Sequence, residues 1–251
     1  DVTFINTGTM SGGNNAVVIS HGDNTTITNS GTITATAANS GMSINQSDGT
    51  VVTNTGTISG VGMGMQSSNV DNSTITNHGT ISASNNTGYG ILYENDGTNR
   101  VNNTLNNYGT ISATSGSLAD GIGIGRNANP MFNITINNHG TISGSDNSIF
   151  ILNSSSTGIN IVTKDEGTYE GSIDLKDSTT TMTLDCSISK DQKIEILRKT
   201  NMVVTNNLCG NDTYEILDSN SDPDADNSET DGFLYVYGED LDIDSHNKKY
   251  R

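Results

Sequence analysis

The sequence predicts an all-β fold: a parallel β-solenoid with about three strands per coil, closed by a divergent C-terminal cap. Three observations predict it. A short motif recurs along the chain, apolar residues inside each recurrence alternate with period two, and the apolar content is too low for a thick core. Of 251 residues only 31% are hydrophobic and 5% aromatic, Trp is absent, and Gly (28) far outnumbers Pro (2). A compact domain of this length draws on roughly 45–50% apolar residues with Gly counted. The remaining choices are disorder and a repetitive fold, and only the second has a reason to repeat.

The recurrences are Asn6-Thr7-Gly8-Thr9-Met10, Asn29-Ser30-Gly31-Thr32-Ile33, Asn54-Thr55-Gly56-Thr57-Ile58, Asn77-His78-Gly79-Thr80-Ile81, Asn107-Tyr108-Gly109-Thr110-Ile111 and Asn138-His139-Gly140-Thr141-Ile142. Asp165-Glu166-Gly167-Thr168-Tyr169 is a decayed seventh. The glycines are spaced by about 23 to about 31 residues, the length of one solenoid coil with loops of varying size. Ahead of each motif a strand reads Ile27-x-Asn29, Val52-x-Asn54, Ile75-x-Asn77, Leu105-x-Asn107 or Ile136-x-Asn138, which puts the apolar residue and the Asn on one face. Gly is expected to make the corner at positive φ. A second strand then turns Ile inward and its Thr and Ser outward. A third supplies the inward pairs Val17/Ile19, Met42/Ile44, Met63/Met65, Ile91/Tyr93, Ile122/Ile124 and Ile149/Ile151, which suggests a triangular section. Glycines beside these pairs, such as Gly64 and Gly121, are expected to leave one outer face low and smooth.

Stacked coils put equivalent residues about 4.8 Å apart. Asn6, Asn29, Asn54, Asn77, Asn107 and Asn138 are therefore expected to form an inward column in which each amide bonds the next, a structural ladder. Outside, Thr9/Ser11, Thr32/Thr34, Thr57/Ser59, Thr80/Ser82, Thr110/Ser112 and Thr141/Ser143 are expected to form two ranks of hydroxyls on a flat wall. Such a wall suits strands in any case, and it is also a candidate self-association face or ice-binding plane.

Tandem I-x-N-x-G-T-I coils resemble the passenger region of bacterial autotransporters, the type V secretion family, over about residues 1–170. The resemblance implies a right-handed β-helix exported to the bacterial cell surface beyond the outer membrane. It also implies a task of adhesion or self-association, with another cell or a host surface receptor as partner, and that the chain is part of a longer precursor. A β-helical polysaccharide-active enzyme and a toxin-like passenger share the architecture.

Residues 171–251 form the divergent end. Alternation persists there in Lys193-Ile194-Glu195-Ile196-Leu197 and Phe233-Leu234-Tyr235-Val236-Tyr237 without the Asn corner, as in a cap over an open edge. Cys186 and Cys209, the only cysteines, lie one short coil apart, and an even count in an exported chain favours a disulfide. Asp222, Asp224 and Asp226 match the first three ligand positions of a calcium loop. The Gly and bidentate Glu of such a loop are missing, so a solvated acidic loop is the plainer expectation. No other cofactor is expected.

A formal charge of −17 argues against nucleic acid and anionic membranes as partners. No nucleophile elbow, zinc-helix motif, phosphate loop or dinucleotide fingerprint is present. His21, His78, His139 and His246 read as isolated, and the expectation is a non-enzyme. The stretches Asn95 to Asn103 and Gly116 to Pro130 read as long loops suited to specific binding.

Overall fold

The computed structural model describes residues 1–95, 102–125, 129–188, 192–199, 201–208, 213–218 and 232–237. Among them every regular element is a strand. The first coil holds β1 (Thr3–Asn6), β2 (Thr9–Gly12) and β3 (Val17–Ser20); the second, β4 (Thr26–Asn29), β5 (Thr32–Ala35) and β6 (Ser40–Asn45). The third holds β7 (Val51–Asn54), β8 (Thr57–Gly60) and β9 (Met63–Ser68); the fourth, β10 (Thr74–Asn77), β11 (Thr80–Ala83) and β12 (Tyr89–Glu94). The fifth holds β13 (Asn103–Asn107), β14 (Thr110–Ala113) and β15 (Asp120–Ile124), and the sixth β16 (Ile134–Asn138) and β17 (Thr141–Ile151). Then follow β18 (Thr157–Thr163), β19 (Thr168–Asp174), β20 (Thr179–Asp185), β21 (Gln192–Leu197), β22 (Met202–Asn207), β23 (Thr213–Asp218) and β24 (Gly232–Tyr237).

From β1 to β22 each strand pairs in parallel with its equivalent one coil away, giving a right-handed β-helix of about eight coils. A nine-stranded sheet collects the strands that enter the Asn motif, from β1 to β22. Its register puts Ile27, Val52, Ile75, Leu105, Ile136, Ile161 and Met182 in one inner column, almost wholly buried. Each such side chain stabilises the fold by roughly 1.5–3 kcal/mol. A chain 31% hydrophobic can sustain this because every apolar residue is shared by the coils above and below it.

The second and third strands belong to one fifteen-stranded sheet, because β17 pairs with both β14 and β15. In the sixth coil the loop between second and third strands vanishes and they run on as one. Three strands per coil therefore hold through the fifth coil, and two longer ones replace them afterwards. Parallel stacking in the first sheet continues past residue 171 to β22. The departure at the end is antiparallel: β24 lies between β21 and β23.

Several local expectations are corrected. The corner glycines do not adopt positive φ, since the positive-φ glycines are Gly49, Gly116, Gly125, Gly158 and Gly171. Close approach is what requires them: a Cβ on Gly56, Gly79 or Gly109 would lie 2.0–2.1 Å from the carbonyl oxygen of the corner glycine one coil earlier. Gly64, Gly90 and Gly121 do not smooth an outer face either. A Cβ on them would meet the Cγ2 of Ile81, Ile111 or Ile142 in the next coil's second strand at 2.7–2.8 Å, so the two strand columns are pressed together there. In the third coil the inward residues are Met65 and Ser67; Met63 pairs with Ser40 and is half-buried. Gly116 to Pro130 is not one loop, since β15 runs through it.

Candidate functional site

The Asn residues form a continuous buried column. Asn6 Nδ2 donates to Asn29 Oδ1, Asn29 to Asn54 and Asn54 to Asn77, each at 2.8 Å; Asn77 to Asn107 and Asn107 to Asn138 follow at 2.9 Å. Each amide also donates to a threonine carbonyl in the next coil, as Asn77 does to Thr110 O at 3.2 Å. The column ends where Asn138 donates to Thr168 O and Thr163 takes the Asn position. There the Thr163 hydroxyl meets the Tyr169 hydroxyl at 3.0 Å, and burial pushes Tyr169 up to about 12. These side chains fix the corner and offer nothing to solvent.

Two walls flank this corner. The second wall is the expected one: Thr9, Thr32, Thr57, Thr80, Thr110 and Thr141 stand in register, with Thr34 and the serines as the parallel rank. Neighbouring hydroxyls bond along it, Thr34 to Ser59 at 3.0 Å and Thr141 to Thr168 at 3.1 Å. The first wall, the outer face of the nine-stranded sheet, was not anticipated. Its two ranks carry Thr26/Thr28, Thr74/Thr76 and Thr181/Thr183, and the other rungs mix Thr with Asn, Val and Ile. From β1 to β16 its register has no shift. The pattern Thr-Ile-Thr-Asn at 26–29 and 74–77 was the available signal.

The outer side of the third strands is where charge collects. Gln66 Nε2 and Ser68 Oγ donate to Glu94 Oε1 at 2.5 and 2.8 Å. Asp120 is buried and accepts from Asn147 N at 3.2 Å and Nδ2 at 2.9 Å. Desolvation pushes its carboxyl up to about 6; the two bonds from Asn147 oppose that rise, and Asp146 and Asp174 add to it. Farther along, Arg198 makes a bidentate ion pair with Asp174 and lies over the Phe150 ring, as Lys176 does.

The histidines at 78 and 139 are not isolated. Successive coils stack His78 on Tyr108 with ring centroids 4.7 Å apart and Tyr108 on His139 at 4.3 Å. His139 Nδ1 meets Asp165 Oδ2 at 2.5 Å, and this bond above all holds the Asp165 carboxyl below its usual range. The signal was the second residue of three consecutive motifs, always a ring. A further corner repeats Asn24, Asn72, Asn102 and Asn133, all at positive φ and each three residues before the inner apolar residue; Gly49 and Gly158 take the same place.

Cys186 is disulfide-bonded, while Cys209 lies outside the described residues. Asp222, Asp224 and Asp226 lie outside them as well, as does most of the stretch from Asn95 to Asn103. Among the described residues no group of three or more His, Cys, Asp and Glu side chains is placed to hold a metal ion. Comparison with known proteins finds no match among protein-family models, curated proteins or solved structures.

Proposed function

We propose that the chain is the surface-displayed passenger of an autotransporter-like system and that it holds bacterial cells together by self-association. The carrying observation is the second wall: from Thr9 to Ser143 its outward ranks are hydroxyls in register, without a charge, on a chain of net charge −17. A rigid rod with side chains repeating about every 4.8 Å along its axis can meet a second rod through many equivalent weak contacts. Each contact is small and wet. Display of many rods on one cell makes the sum strong, because after the first pair engages the others bind at high effective concentration.

The test is display of the chain on a bacterium that does not otherwise aggregate. Cells should settle from suspension, and Thr57→Lys with Thr80→Lys should slow the settling. Dispersed cells that instead adhere to epithelial monolayers would move the function to attachment to a host receptor. Turnover of a polysaccharide by the purified chain, abolished by replacing a carboxylate such as Asp120, would replace the reading with an enzymatic one.

A further inference from the structure

We infer that each rod carries two contact walls for copies of itself, the first wall as well as the second, so that rods join into an open array and not only into pairs. The inference rests on the self-association reading and adds a face to it. Its ground is where charge is missing. On the nine strands of the first wall a single outward residue is charged, Asp185 at the end of β20 opposite Asn207; the two ranks that run through Thr26/Thr28 and Thr181/Thr183 carry no charge. Those two ranks remain Thr, Asn or Val even beyond residue 157, where Lys164, Glu170, Lys176 and Asp185 occupy the corners and the other sheet. Stacking in register does not by itself exclude acids. Asp23, Asp48 and Asp71 stand above one another at another corner, with Asp48 N donating to Asp23 Oδ1 at 3.1 Å and Asp71 N to Asp48 Oδ1 at 2.9 Å. A polyanion approaches its own copy with least repulsion through faces that carry no charge.

Geometry turns two such walls into an array. The nine strands span about 43 Å by about 13 Å, or about 560 Å² per copy, so a pair buries about 1,100 Å², the low end of specific interfaces. The six charge-free strands of the second wall give about 380 Å² per copy by the same reckoning. Like wall on like wall is a two-fold, self-complementary contact, which on its own closes at a dimer. The two walls meet at the Asn corner and face different directions. For rods lying side by side in the same direction both two-fold axes run parallel to the rod, and two parallel two-folds combine into a translation, so the alternation does not close and the rods extend into rows.

Sedimentation of the purified chain over a concentration series tests this, with Thr28→Lys plus Thr76→Lys on the first wall, Thr57→Lys plus Thr80→Lys on the second, and all four together. Circular dichroism checks that each keeps its strands; Thr76→Lys alone replaces the first pair if that pair unfolds the coil. The wild type should grow past dimer as concentration rises, either wall variant should stop at dimer, and the fourfold variant should stay monomeric. Growth of the first-wall variant identical to wild type overturns the inference and leaves self-association through the second wall intact. A wild type that is monomeric at every concentration, on beads coated with it as well as in solution, overturns both.

Discussion

Replacing Asn77 is the most direct test of what holds the corner. Its Nδ2 donates to Gly79 O, Asn107 Oδ1 and Thr110 O at 3.2, 2.9 and 3.2 Å, and its Oδ1 accepts from Asn54 Nδ2 at 2.8 Å. Asn77→Ala removes all four. Gly79 O keeps the bond from Thr110 N, and Asn54 Nδ2 keeps Gly56 O and Thr80 O. Asn107 Oδ1 loses its neighbour's donor in a fully buried site. A stranded buried acceptor costs about 1–3 kcal/mol and each lost bond about 1 kcal/mol net, so about 4 kcal/mol is expected. Asn6→Ala, at the first rung, also removes four bonds, with Gly8 N at 3.3 Å donating in place of an earlier Asn, and strands Asn29 Oδ1; its side chain is slightly exposed, and about 3 kcal/mol is expected there. Asn77→Asp separates hydrogen bonding from packing. It keeps the shape but turns an acceptor toward three acceptors and buries a charge, so at pH 7 it should cost more than Asn77→Ala and recover part of the loss near pH 4. Urea titration followed by circular dichroism reads all three variants. A loss under about 1 kcal/mol for Asn77→Ala, or an aspartate no worse than alanine, would refute the ladder as the source of corner stability.

Gly90→Ala should destabilise the fourth coil by several kcal/mol, since its Cβ would sit 2.6 Å from Gly121 O and 2.7 Å from Ile111 Cγ2, whereas Gly8→Ala, with nothing within 4 Å, should be near neutral; thermal melts compare the two. Asp120 binds its proton more tightly folded than unfolded. Its contribution is therefore fullest below pH 4 and is lost as pH rises through about 6. The shift sets a ceiling of about 3 kcal/mol, and about 1–2 kcal/mol is expected once partial solvation is allowed for. Asp120→Asn should flatten that part of the slope between about pH 4 and 7, and an unchanged slope would assign it to other groups.

Much of the fold was legible because the repeat states it several times over. Six copies of the Asn-x-Gly-Thr motif fix the coil length, and Ile27, Val52 and Ile75, each two residues before the motif's Asn, fix which side is inside. What escaped was information that exists only between coils. Positive φ is the ordinary use of a corner glycine, but here the preceding coil's carbonyl lies where Cβ would be, and a single coil's sequence contains no trace of that contact. Met63 and Met65 look like an alternating inward pair, yet the short Val61-Gly62 connection places Met63 beside Ser40, and Ser67 takes the second inward place. Charges on the third strands could not be paired in advance, because Asp174 and Arg198 are 24 residues apart in a region whose motif has decayed.

The histidine corner shows what a column adds to a residue. His78 alone is an exposed side chain at a variable position, isolated as long as each motif is taken separately. Because coils of 30 and 31 residues return the chain to the same corner, Tyr108 is held between two imidazoles, and each stacked pair contributes about 0.5–1.5 kcal/mol beyond its buried area. The same logic explains the walls. A hydroxyl on one strand has little affinity for anything, but register copies it about every 4.8 Å along the rod. Binding strength then depends on the number of unbroken rungs and not on any one residue. A single lysine in mid-wall, which interrupts the ranks on both sides of it, should therefore weaken association more than the same lysine at β1 or β22.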